Sequence, residues 1–136
     1  MRTFLIKDYF GEEIEVVPQL FLYGVTDFME KEMPIIGIEF YTMNDGELTP
    51  YSELTLCFGE FIGTKNVAYI DTNNCDFAPQ LLNAGVAKDT GFTKRSGFCT
   101  YPLWVFEEAF LREIGNEAYQ QYSDAFDNYM NAVFGE

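Results

Sequence analysis

The chain contains no histidine, and so lacks the one side chain whose unperturbed pKa falls between pH 5 and 8. That absence excludes Ser-His-Asp and Cys-His sites built within one chain. It also excludes the His-containing zinc sites of hydrolases and deaminases. Cysteine is scarce as well: Cys57, Cys75 and Cys99 stand alone, with no CxxC spacing. Three thiols neither imply a disulfide framework nor complete an all-cysteine tetrahedral zinc site, which leaves a reduced, cytoplasmic setting as the plain reading. Positive charge is the third shortage, with 8 Lys+Arg against 22 Asp+Glu and a formal net charge of -14. Affinity for phosphate backbones and anionic bilayers comes from clustered Lys and Arg, so direct binding to nucleic acid or to a membrane surface is not expected. No apolar run reaches the roughly 18 residues of a bilayer span. The opening MRTFLIKDYFGEE turns acidic within a dozen positions and lacks an apolar core and a small-residue cleavage site, so no signal peptide is expected.

What the 136 residues do contain is apolar and aromatic weight, 48% and 18% of the chain, which argues for a packed single domain rather than disorder. Residues 2–7 (RTFLIK) and 12–17 (EEIEVV) read as strands around a turn at 8–11, an N-terminal hairpin closed by Pro18, which cannot donate to a ladder. Residues 20–23 suit a short strand, and 27–33 a polar loop ending at Pro34. A strand follows at 35–43, then turn chemistry at Asn44-Asp45-Gly46, and further strands at 53–58 and 66–70 as a meander. Residues 77–84 read as a short helix with Asn74 or Asp76 as N-cap, Pro79 in its first turn and Gly85 after its end. A basic loop at 88–97 precedes a strand at 98–106, where Pro102 demands an edge or a bulge.

From Glu107 the period becomes helical, and Ile114, Ala118, Tyr122, Ala125, Phe126, Tyr129 and Val133 form an apolar stripe. A break is expected at Gly115-Asn116, with Asn116 capping the second piece. The fold class is therefore α+β: a mainly antiparallel sheet of about five to six strands, one short helix and a C-terminal amphipathic helix packed on it, in one domain over 1–136.

Candidate sites are few. The polar cluster 71–76 (DTNNCD) fails as a calcium loop, because Asp76 stands where Gly is required and Leu82 where a bidentate Glu belongs. It reads better as a capping cluster. Cys75 at a helix start and Cys99 near Lys94 and Arg95 are weak candidates for a thiolate nucleophile, against the alternative that both are small buried hydrophobes. Lys94-Arg95 either grips an anion or is a solvated loop. Carboxylate pairs such as Glu12 with Glu13, Glu107 with Glu108, and Asp124 with Asp127 carry little information among 22 acids. After Arg112 no base follows, while Glu113, Glu117, Asp124, Asp127 and Glu136 are acidic, so the last helix offers either a solubilising face or an acidic stripe for a basic partner. The 14 Phe and 9 Tyr either fill the core or leave rings outside for contacts with other proteins. No cofactor-binding or metal-binding pattern is present.

Residues 69–75 (YIDTNNC) and 96–103 (SGFCTYPL), with a weaker match at 9–13 (YFGEE), resemble a bacterial family of short proteins of unknown function. That family is carried in gut bacteria, often on conjugative or integrated mobile elements. The resemblance covers residues 1–106 and leaves out the helical tail 107–136. It brings no activity and no catalytic residues; it implies a bacterial cytoplasm and a mobile-element cargo.

The expected function is a non-catalytic protein that binds another macromolecule, most simply a protein and in the sharper version a basic nucleic-acid-binding one. In that version the carboxylates of Glu113, Glu117, Asp124 and Asp127 stand in for DNA phosphates. The rivals are an enzyme or sensor acting through Cys75 or Cys99, and a structural accessory whose oligomeric state the sequence leaves open.

Overall fold

A computed structural model describes residues 2–27 and 29–135 of the chain; Phe28, in the expected loop, and Glu136, in the acidic tail, lie outside the described residues. In chain order the elements are β1 (Phe4–Lys7), β2 (Glu13–Thr26), β3 (Glu32–Asn44), β4 (Glu47–Glu53), β5 (Thr55–Leu56), β6 (Val67–Ile70), α1 (Ala78–Asn83), β7 (Ala87–Ser96), β8 (Cys99–Phe106), α2 (Glu108–Gly115) and α3 (Glu117–Phe134). Two antiparallel four-stranded sheets result, ordered β1-β2-β3-β4 and β5-β6-β8-β7. The α+β class and the antiparallel pairing stand as expected. The number of strands among the described residues is larger, eight, and the helices are three.

Local chemistry explains most boundaries. Asp45 and Gly46 both take positive φ between the paired residues Asn44 and Glu47, the geometry of a two-residue type I′ hairpin. Pro18 does not close the first hairpin as its chemistry suggested. It lies inside the long β2, buried and paired with Phe40, just beyond Val16, where the β1 ladder stops. On that side no strand remains to need its missing N–H. Pro102 is placed the same way, past the last β6 pair at Leu103 and directly after the irregular stretch between Asp89 and Thr93 of β7.

The two strands that the sequence hid are β4 and β7. Both lie at sheet edges and are largely exposed, so neither shows the apolar alternation of a half-buried strand. Residues 88–97, expected as a loop, are mostly β7. The strand expected at 53–58 is only Thr55–Leu56, because Leu54 is where the chain changes sheet. Its N–H donates to the carbonyl of Ile38 in β3, and its own carbonyl accepts from the N–H of Asp71 after β6.

The core lies between the sheets and the two C-terminal helices. Ile36, Ile38 and Phe40 of β3 meet Ala68, Ile70, Trp104 and Phe106 of the second sheet and Leu111, Tyr119, Tyr122 and Phe126 of the helices. The apolar stripe of the tail is confirmed at Tyr122, Phe126 and Tyr129, while Ile114, Ala118, Ala125 and Val133 are only half-buried. Tyr119 and Ser123 complete the buried face. The break at Gly115-Asn116 is present, with Asn116 at positive φ, but its side chain makes no cap. Gly115 is needed for packing, since a Cβ there would come within 2.3 Å of Leu20 Cδ2. Gln80 of α1 accepts from the Lys7 N–H at 2.9 Å and donates to the Lys7 carbonyl at 3.0 Å, tying that helix to β1.

Candidate functional site

The polar cluster at 71–76 occupies the corner where the sheets meet. Asp71 is buried, and its carboxylate accepts from the Asn74 N–H at 3.2 Å and the Asn74 Nδ2 at 2.8 Å. Its carbonyl accepts from the Cys75 N–H at 2.8 Å. The turn so formed ends before α1, which starts without a side-chain cap, so neither Asn74 nor Asp76 is the N-cap that the sequence suggested. Asp71 supplies the order instead, by holding its own turn.

This turn delivers Cys75 to the interior. Its Sγ lies 3.1 Å from Ser52 Oγ and donates to the Glu53 carbonyl at 3.3 Å. Burial pushes the thiol above its ordinary range, and the nearby carboxylates of Asp71, Asp76 and Glu53 push the same way, against the Ser52 hydrogen bond. A nucleophilic cysteine needs the opposite environment, electropositive and accessible. This environment does not favour the thiolate considered for Cys75.

Cys99 lies far along the second sheet, opening β8 opposite Ser96. The two-residue turn between them carries Gly97 at positive φ, as a type II′ hairpin requires. Cys99 is half-buried beside the phenol of Tyr101, which its thiol and burial raise above the ordinary range. Lys94, expected to activate it, instead pairs with Glu60 and stands 5.3 Å over the ring of Phe58. All three cysteines are free thiols.

The acidic stripe is less uniform than the sequence suggested. Glu113 pairs with Arg2 at 3.0 Å, and Asp127 with Lys65 at 2.9 Å. Asp124 accepts from Gln120 Nε2. Glu117 and Asp124 are therefore the two of the four acids without an ion pair among the described residues, and the phosphate-mimic version is left with them. Sequence distance concealed the pairs: Arg2 and Lys65 come from segments 111 and 62 residues away.

One network had no signal in the sequence. The phenol of Tyr23 in β2 hydrogen-bonds the carboxylate of Glu53, and it lies 3.2 Å from both the carbonyl and Oγ1 of Thr55. Burial and then the Glu53 bond push this phenol well above its ordinary value, with the Thr55 bond opposing. Thr55 Oγ1 in turn accepts from the Ile38 N–H at 3.0 Å. Tyr23 and Glu53 are 30 residues apart and carry no motif, so only the β2-β3-β4 pairing brings them together.

Open hollows flank these groups. A groove of about 370 Å³ runs between Leu22–Gly24, Glu32–Pro34 and, on α3, Gln121 and Ala125. It contains one carboxylate, Glu32, and no thiol. Among the described residues no group of three or more Cys, Asp or Glu side chains gathers to hold a metal. No helix among them is long and apolar enough to cross a membrane.

The chain matches the family described as a domain of unknown function, DUF4313, over residues 24–126. It belongs to this family. The matched span starts within β2 and ends within α3, so it contains both cysteine-bearing motifs and α2 and leaves out the first hairpin. The resemblance read from the sequence was drawn the other way, including the hairpin and omitting the tail. No curated protein and no solved structure matches the chain.

Proposed function

We propose that this member of the DUF4313 family is a non-catalytic domain that acts by binding another protein. One observation carries the reading: rings stand in solvent at the tips of both outer hairpins. Phe98 is 102% exposed at the β7–β8 turn, and Tyr9 and Phe10 are 83% and 84% exposed at the β1–β2 turn. The same fold buries Trp104, Tyr119 and Tyr122 completely. Aromatic side chains are large anchors with few rotamers, and they are enriched at protein interfaces. The buried, hydrogen-bonded state of Cys75 gives the rival thiol mechanism little support. A bacterial cytoplasm and a place among mobile-element cargo belong to the same proposal.

Affinity capture from bacterial lysate tests it, with the wild type and a variant carrying Tyr9→Ser, Phe10→Ser and Phe98→Ser. Capture of a protein by the wild type and its loss in an equally folded variant supports the reading. Equal capture by both, or a turnover that disappears with Cys75→Ser, overturns it.

A further inference from the structure

The β1–β2 hairpin carries a more specific surface, and the inference from it rests on the protein-binding reading above. Its turn is built to keep two rings outside. Asp8 Oδ1 accepts from the N–H groups of Phe10 and Glu12, each at 2.9 Å. The Asp8 N–H donates to the Glu12 carbonyl at 2.9 Å, and the Gly11 N–H to the Asp8 carbonyl at 3.0 Å. Gly11 takes φ +80, which closes the turn without a Cβ penalty. Tyr9 and Phe10 pack edge to face at 5.4 Å, so the pair is preorganised rather than two loose side chains. From the tip an outward face continues, with Leu5 opposite Glu15 and Lys7 opposite Glu13, all exposed. Leu5 is 63% exposed. Four carboxylates, Asp8, Glu12, Glu13 and Glu15, surround these apolar groups against the single base Lys7.

We propose that this hairpin docks into a basic protein surface that offers an apolar pocket: the Tyr9–Phe10 pair fills the pocket, and Glu12, Glu13 and Glu15 meet Lys and Arg at its rim. Charge complementarity selects that occupant, because an anionic lipid surface would be repelled by the same carboxylates. A second copy of a chain with charge -14 would be repelled likewise. The turn and its rings lie before the span matched by the family, which starts at residue 24.

The test selects a phage-displayed library of random short peptides on four folded proteins. These are the wild type, Tyr9→Ser/Phe10→Ser, Glu12→Gln/Glu13→Gln/Glu15→Gln, and Phe98→Ser. The wild type should enrich peptides that combine Lys or Arg with large apolar residues. Their binding should weaken with added salt, fall at least about tenfold in the first variant, lose its salt dependence in the second and persist in Phe98→Ser. Acidic winners, or binding unchanged in the first variant, overturn the proposal. Peptides lost only in Phe98→Ser sink this docking surface and leave the protein-binding reading standing, whereas no enrichment on any of the four sinks both. A dimer seen by light scattering that dissolves in Tyr9→Ser/Phe10→Ser would replace the basic partner with a second copy and so also overturn it.

Discussion

Asp71 donates its backbone N–H to the carbonyl of Leu54 at 2.8 Å, and the Leu54 N–H goes on to Ile38 at 2.9 Å. The backbone of one residue, Leu54, thus joins both sheets. The Asp71 side chain stabilises this junction by accepting both the backbone and the side-chain N–H of Asn74. Asp71→Ala should therefore cost about 1–3 kcal/mol, because it removes the charged acceptor of both hydrogen bonds that hold the turn. Urea denaturation would show a lower midpoint at unchanged slope. Asn73→Ala, at an exposed position of the same turn, should stay within about 0.5 kcal/mol.

Gly37 faces two rings. A Cβ there would lie 2.5 Å from Phe21 Cζ and 2.8 Å from Tyr23 Cε2. Tyr23 cannot swing aside freely, because its phenol is held by Glu53 and Thr55. Gly37→Ala is expected to destabilise by about 1–3 kcal/mol through overpacking. In a Tyr23→Phe background the ring is freed from those bonds, and the cost of the same substitution should shrink. A double-mutant cycle measures that coupling.

Thiol labelling should separate the cysteines. In the native protein at neutral pH, iodoacetamide should modify the half-buried Cys57 and Cys99 first, while Cys75 reacts only after unfolding. Burial and three neighbouring carboxylates hold Cys75 as a protonated thiol. Peptide mass mapping reads the order directly, and rapid native modification of Cys75 would contradict it.

Acid stability should depend on Tyr129. Its phenol donates to Asp27, and this bond, with smaller contributions from the N–H groups of Lys31 and Met29, lowers the Asp27 carboxyl below its ordinary range. A carboxyl lowered in the folded state stabilises it above the unfolded value of about 3.9. That contribution is lost as pH falls through the lower folded value. Between those two values the wild type should lose stability more steeply than Tyr129→Phe, whose ring is kept and whose hydroxyl is gone. Thermal melts across that acid window test the difference.

The parts of the fold legible in the sequence were those with a short-range cause. Asp45-Gly46 announced its hairpin, Gly115-Asn116 its break, and Tyr122, Phe126 and Tyr129 their buried face. The edge strands β4 and β7 were not legible, because they bury little and so carry no alternation to read. Pro18 misled for a related reason: a proline ends a strand only where a neighbour needs its N–H, and at that point β1 has already stopped. At the candidate sites, the burial of Cys75 agreed with the ordinary behaviour of a free cysteine. The Tyr23–Glu53 bond and the pairs Arg2–Glu113 and Lys65–Asp127 were out of reach. Each depends on which distant segments the sheets bring together, and no local pattern encodes that.

The bidentate grip of Gln80 on Lys7 gives the first sheet a terminus. An outer strand normally presents alternating N–H and carbonyl groups that any extended segment can copy, and sheets recruit further chains through such rows. Here a side-chain amide presents the same donor and acceptor that the next strand would bring, and it arrives from within the molecule. Strand addition beside Lys7 would first have to evict Gln80, so a single carboxamide blocks growth of the sheet at that point of its β1 edge.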